Sequence, residues 1–208
     1  RRTLITAGLQ KTAKELGGQV WHNADLLEEI NYLVEYPTPL YGRIDEEFLD
    51  LPVPAVVTPM RDHQRYYPVR KEDGSLMPYF LTVRNGGDRA IRNVQIGNER
   101  VLRARLDDAK FFFDGDRRKS LEGHREALSR INYQEGMGTM LDKSDRLVKL
   151  VEEIGEDWNF TDTEKADVRH AAYLSKSDLA TGMVTEFTEL QGEMGKEYAL
   201  LDGEKPKV

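Results

Sequence analysis

No stretch restricts the fold of this chain more than Asn93 to Lys119, NVQIGNERVLRARLDDAKFFFDGDRRK, a long run with no proline in it. Read at helical period, Val94/Gln95, Asn98, Leu102, Leu106, Ala109 and Phe113 fall on one side and make a mostly apolar seam suited to packing on a core. Arg89, Arg92, Arg100, Arg103 and Lys110 cluster on a neighbouring strip. The pattern predicts one long helix that is anchored by one face and offers cations from another.

Elements predicted around this helix follow from local signals. Residues 3–16 read as a helix with a thin seam at Leu4, Ala7/Gly8, Lys11 and Lys14, stopped by Gly17-Gly18. Asn23 is placed as the N-cap of a second helix whose Leu26/Leu27, Ile30 and Leu33/Val34 face inward. Pro37 and Pro39 end it. Asp45–Leu49 reads as a helical turn, and Pro54 as the first helical residue of a segment running toward His63. From Arg65 the period changes to two. Residues 66–70 and 77–83 are β-rich runs joined by Glu72-Asp73-Gly74-Ser75, which predicts a hairpin. After Lys119 helical patterns are expected to the end: 121–131, a break at Gly136 and Gly138, 139–154, then a separation at Gly155. Thr161 or Asp162 is placed as the cap of a final pattern, one bent helix or two with Gly182 as its weak point. The fold class expected is mainly α with a small β hairpin. The division expected is residues 1–120 and 121–208, which can also form one continuous domain.

Charge adds a functional constraint. The net charge of −7 is the sum of unlike parts, since residues 61–119 hold 14 Lys+Arg against 9 Asp+Glu, residues 1–60 hold 5 against 9, and residues 120–208 hold 11 against 19. A basic waist between acidic ends can attract a polyanion locally, or pair with those ends. Guanidinium forks match phosphate oxygens in two-point geometry. Arg89, Arg92, Arg100, Arg103, Arg105, Lys110, Arg117, Arg118 and Lys119 are therefore the candidate phosphate contacts. Their structural alternative is pairing within the helix with Glu99, Asp107, Asp108 and Asp114, worth only ~0.2–0.5 kcal/mol per pair. Tyr66/Tyr67 and Tyr79/Phe80, beside Arg65, Arg70 and Arg84, either stack bases or pack on a helix.

Other chemistries find little support. With no cysteine there is no disulfide, thiolate metal site or thiol nucleophile. Glycine-rich phosphate loops and Ser/His/Asp signatures are missing, so no catalytic residue is assigned. The four histidines are too far apart for i, i+4 metal pairing. HD phosphohydrolases carry metals on a His, a His-Asp dipeptide and a distant Asp. Here His170 and Asp178 could stand for outer members of such a set, but no His is followed by Asp, and no metal is assigned. Asp178 is expected on a helix surface. No apolar run approaches a membrane span of roughly 18 residues. The start at Arg1-Arg2 rather than Met suggests an excised piece.

Three separated blocks carry a family resemblance: Gly97–Phe113 (GNERVLRARLDDAKFFF), Met60–Val69 (MRDHQRYYPV) and Leu174–Gly195 (LSKSDLATGMVTEFTELQGEMG). Together they resemble the beta subunit of the bacterial two-subunit glycyl-tRNA synthetase. The resemblance implies a cytoplasmic enzyme of protein biosynthesis with ATP and Mg chemistry in a separate alpha subunit. This chain would then be a tRNA-facing, assembly-supporting module, with tRNA(Gly), the alpha subunit and the remaining beta-subunit domains as partners. It also implies an HD-like helical scaffold without hydrolase function, in which His170 and Asp178 are vestigial. Two alternatives stay open. One is a protein-interaction platform that never touches RNA, motivated by Phe111-Phe112-Phe113, whose three rings one face cannot bury. The other is a residual metal-dependent phosphohydrolase.

Overall fold

A computed structural model describes all residues, 1–208, and divides the chain into two compact units, Arg1–Lys110 and Phe111–Val208. The protein is mainly α with a small β part, as expected. That β part is larger than a hairpin, however: a four-stranded antiparallel sheet in the first unit and a two-stranded ribbon in the second.

The first unit opens with α1 (Arg2–Glu15), whose buried face is Ile5, Leu9 and Ala13. This corrects the expected seam, since Leu4 is 67% exposed. The buried row runs i, i+4, i+8, and Gly8 beside it leaves room for Pro39, which a side chain there would strike. Gly17, at φ +78, ends the helix, with Gly18 N–H donating to Ala13 O at 2.9 Å and Gly17 N–H to Lys14 O at 3.0 Å. Strand β1 (Gln19–Val20) follows, then α2 (Ala24–Leu33), capped by the Asn23 side chain accepting from Leu26 N. Leu26, Ile30 and Val34 are buried, whereas Leu33 points outward.

Strand β2 (Pro37–Arg43) departs from the sequence reading, in which its two prolines are breakers. The sheet order β1-β3-β4-β2 puts it at an edge, where a missing N–H on the open side costs no ladder bond. A 3-10 turn (Glu46–Asp50) and α3 (Val53–Thr58) follow. The helix widens to π geometry over Pro59–His63, starting where Pro59 cannot donate an α-type bond. The predicted hairpin is present as β3 (Tyr67–Arg70) and β4 (Leu76–Asn85), turned at Gly74, φ +88. Tyr67, Val69 and Leu81 on one sheet face join the buried residues of α1 and α2 in a single apolar cluster. On the other face Tyr66 stacks on Phe80 at 4.5 Å, and Gly42, opposite Phe80 in register, leaves room for its ring. The hairpin aromatics Tyr66, Tyr67 and Phe80 are thus core, and burial raises the Tyr66 phenol to about 12.

Helix α4 (Ile91–Asp116) is the predicted long helix, with Leu102, Leu106 and Ala109 fully buried. Its residues through Lys110 belong to the first unit and the rest to the second.

The second unit continues with α5 (Leu121–His124) and a 3-10 segment (Arg125–Arg130). The expected break is an ordered ribbon, β5 (Asn132–Gln134) with β6 (Gly138–Thr139), its turn supplied by Gly136 and Gly138 at positive φ. Helix α6 (Met140–Asp157) runs straight through Gly155, contrary to the sequence reading. Gly155 is buried because Lys165 and Phe160 approach it closely, so it marks close packing and not a stop. Thr139 with Asp142, and Thr161 with Glu164, form capping boxes on α6 and on α7 (Asp162–Leu174). The final pattern, expected as one bent helix or two, is five pieces, α7 itself followed by four short ones: a 3-10 turn (Ser177–Ala180), α8 (Gly182–Glu186), another 3-10 turn (Thr188–Leu190) and α9 (Glu193–Leu201). Gly192, at φ +83, separates the last two.

Candidate nucleic-acid interface

In the first unit, Arg92, Arg100 and Arg103 are exposed along α4, and Arg89 is exposed just before it. Their commitments differ. Arg92 donates to Gln95 Oε1 at 2.8 Å, and the Arg89 carbonyl accepts from Arg84 at 2.8 Å. Arg103 pairs with Asp45, a carboxylate outside the helix that intrahelical spacing could not reveal. The Arg100 side chain has neither a hydrogen bond nor an ion pair. Arg105 and Lys110 are half-buried and engaged.

Arg100 and Arg103 open onto a cleft of about 370 Å³, which they share with Arg43, Ile44, Asp45, Ile96 and Glu99. Arg43 was missed because the strand carrying it was missed. Its guanidinium bonds Glu46 Oε1 at 2.9 Å, and its backbone N–H donates to Glu99 Oε1 at 3.0 Å. Glu99 therefore fixes the end of β2 to α4.

In the second unit, the three basic residues after α4 take different roles. Arg117 is locked, 2.5 Å from Asp202 and also donating to Leu201 O at 3.4 Å. Arg118 and Lys119 are exposed, and their backbone N–H groups close the helix end. Of the three phenylalanines, Phe113 stacks on Tyr198 at 5.9 Å and Phe112 lies against Gly182. The ring left outside is Phe111, 73% exposed.

His170 and Asp178 do not read as a metal pair. The His170 Nε2 lies 2.9 Å from Glu204 Oε2. Asp178 is only 1% exposed and sits on a 3-10 turn, which corrects its expected place on a helix surface. Its Oδ2 accepts from Gly192 N at 2.6 Å, and burial pushes its carboxyl above the usual carboxylate range. No group of three or more His, Asp or Glu side chains is arranged to hold a metal ion. A second buried carboxylate, Asp116, gathers the N–H groups of Gly182 and Met183 and the hydroxyl of Tyr198 at 2.7–2.9 Å. Both are architectural: they hold the ends of short elements. No helix is long and apolar enough to cross a membrane.

Comparison with known proteins matches all 208 residues to the family described as glycyl-tRNA synthetase beta subunit. Relatives named glycine–tRNA ligase beta subunit share 50% identity in Clostridioides difficile, 49% in Halothermothrix orenii and 43% in Bacillus subtilis, each over the whole chain. The chain spans 30–31% of the length of these relatives. The blocks at 60–69, 97–113 and 174–195 thus mark a kinship that extends from end to end, and the chain belongs to the glycyl-tRNA synthetase beta-subunit family.

Proposed function

We propose that this chain is a tRNA-facing, assembly-supporting part of a glycyl-tRNA synthetase, and that cations on α4 and flanking it contact the phosphate backbone of tRNA(Gly). Glycine activation with ATP and Mg is assigned to the alpha subunit, a partner together with the remaining beta-subunit domains. The observation that carries the reading is the exposed arginine strip of α4, in which Arg100 has no partner and Arg103 has only a solvent-exposed one. Exposed ion pairs are weak and readily exchanged for phosphate. Among the sequence candidates, Arg89, Arg92, Arg100, Arg103, Arg118 and Lys119 meet this condition best. Arg117 serves the fold.

The test is tRNA(Gly) binding by the full-length synthetase, measured against salt, with Arg100, Arg103 and Arg118 changed to Glu. Affinity should fall, and the slope of log affinity on log salt should flatten by about 0.9 for each lost contact to duplex phosphate. Unchanged affinity and slope would show that the arginines are structural.

Phe111 favours a second reading, a protein-interaction platform. A photocrosslinker at position 111, and not at half-buried Phe112, would then attach to protein and leave tRNA unlabelled.

A further inference from the structure

We propose that the 370 Å³ cleft of the first unit is a clamp for one RNA phosphodiester, with Arg43 as a third contact residue beside Arg100 and Arg103. The proposal rests on the tRNA-facing reading above and gives it a site. Three guanidinium groups reach the cleft from two elements, Arg43 from the end of β2 and the others from neighbouring turns of α4.

At rest Asp45, Glu46 and Glu99 balance these three cations, so net charge alone does not select an anion. Selection comes from how each carboxylate is held. Glu99 is committed to the Arg43 backbone N–H, and its release would loosen the end of β2. Asp45 and Glu46 bind only the guanidinium groups of Arg103 and Arg43, with side chains 40% and 71% exposed. Water solvates both partners of such a pair, which makes it weak. A phosphodiester offers each fork two charge-assisted bonds and meets the uncommitted Arg100 first. Arg43 and Arg103 then turn from their carboxylates to the phosphate. Ile96, 41% exposed at the cleft, gives the adjoining ribose an apolar wall.

The experiment uses the full-length beta subunit assembled with its alpha partner and a tRNA(Gly) transcript, with binding followed by fluorescence anisotropy across a salt series. Arg43→Glu and Arg100→Glu should each weaken binding by about 10-fold, the loss of one charge-assisted contact. Asp45→Asn should tighten it by about 2- to 5-fold, because it releases Arg103 from an exposed pair. A misfolded variant cannot produce that gain. If Arg43→Glu and Asp45→Asn bind as the parent does while Arg118→Glu weakens binding, the clamp is overturned and the tRNA-facing reading stands. If none of these variants alters affinity or salt slope, both fall.

Discussion

Asp116 allows the sharpest quantitative test of how the second unit is held together. Its side chain is buried, with the whole residue 7% exposed. Oδ1 accepts from Gly182 N at 2.7 Å, and Oδ2 accepts from Met183 N and Tyr198 OH at 2.9 Å each. Burial and the Asp116 charge push the Tyr198 phenol up, so that it remains a donor. Asp116→Asn keeps the shape but replaces one acceptor oxygen with a donor. In the better of its two orientations the amide oxygen serves Met183 and Tyr198, and the amide nitrogen faces the Gly182 N–H. One charge-assisted bond, worth about 1.5–3 kcal/mol, is lost, and two more become neutral bonds of about 0.5–1.5 kcal/mol. Relief from burying a charge offsets part of this loss, leaving a net destabilisation of about 2–4 kcal/mol. Urea unfolding by circular dichroism, fitted for two transitions because the chain has two compact units, should show the loss in one of them. Amide exchange at Gly182 and Met183 should accelerate with it. Tyr198→Phe should lose less, about 1.5–3 kcal/mol, because two donors to the carboxylate remain. An Asn variant within about 0.5 kcal/mol of the parent, the ordinary range of surface changes, would refute this account of the unit.

Two further outcomes test the rest of the fold. Gly42→Ala should destabilise the first unit by about 1–3 kcal/mol, since the new methyl would enter the Phe80 ring, whose retreat is blocked by stacking on Tyr66; an unchanged urea midpoint would mean that the ring yields freely. Asp178→Asn tests the raised carboxyl. An acid whose folded pKa lies above its unfolded one contributes stability below the unfolded value, here 3.8, and loses it as pH rises through the folded value. The stability difference should therefore move in favour of Asn as pH climbs through that window, and a pH-independent difference would show that burial does not perturb Asp178.

Features set by local chemistry were legible in the residues alone. The Asn23 cap, the turn at Gly74 and the long α4 follow from bonds and periods within a few positions, which is why sequence placed them correctly, and of the two caps it offered for α7, Thr161 and Asp162, Thr161 is the one that caps. Leu102, Leu106 and Ala109 are buried as their spacing predicts, and Arg92, Arg100 and Arg103 are exposed. Local chemistry misleads where a distant neighbour changes the meaning of a residue. Pro37 and Pro39 read as breakers until β4 pairs beside them and leaves their strand at an edge. Gly155 reads as a stop until Phe160 and Lys165 approach it.

The same division applies to charge. Sequence could count the arginines of α4 and assign them a face, because both follow from composition and helical period. Only tertiary structure could separate Arg100, which has no partner, from Arg103, held by Asp45, and bring Arg43 from a different element into the same cleft. Nor could sequence single out Asp116 and Asp178 from among 37 acidic residues. Whether a carboxylate is buried, and which donors surround it, depends on segments brought together by folding, and no local pattern encodes that.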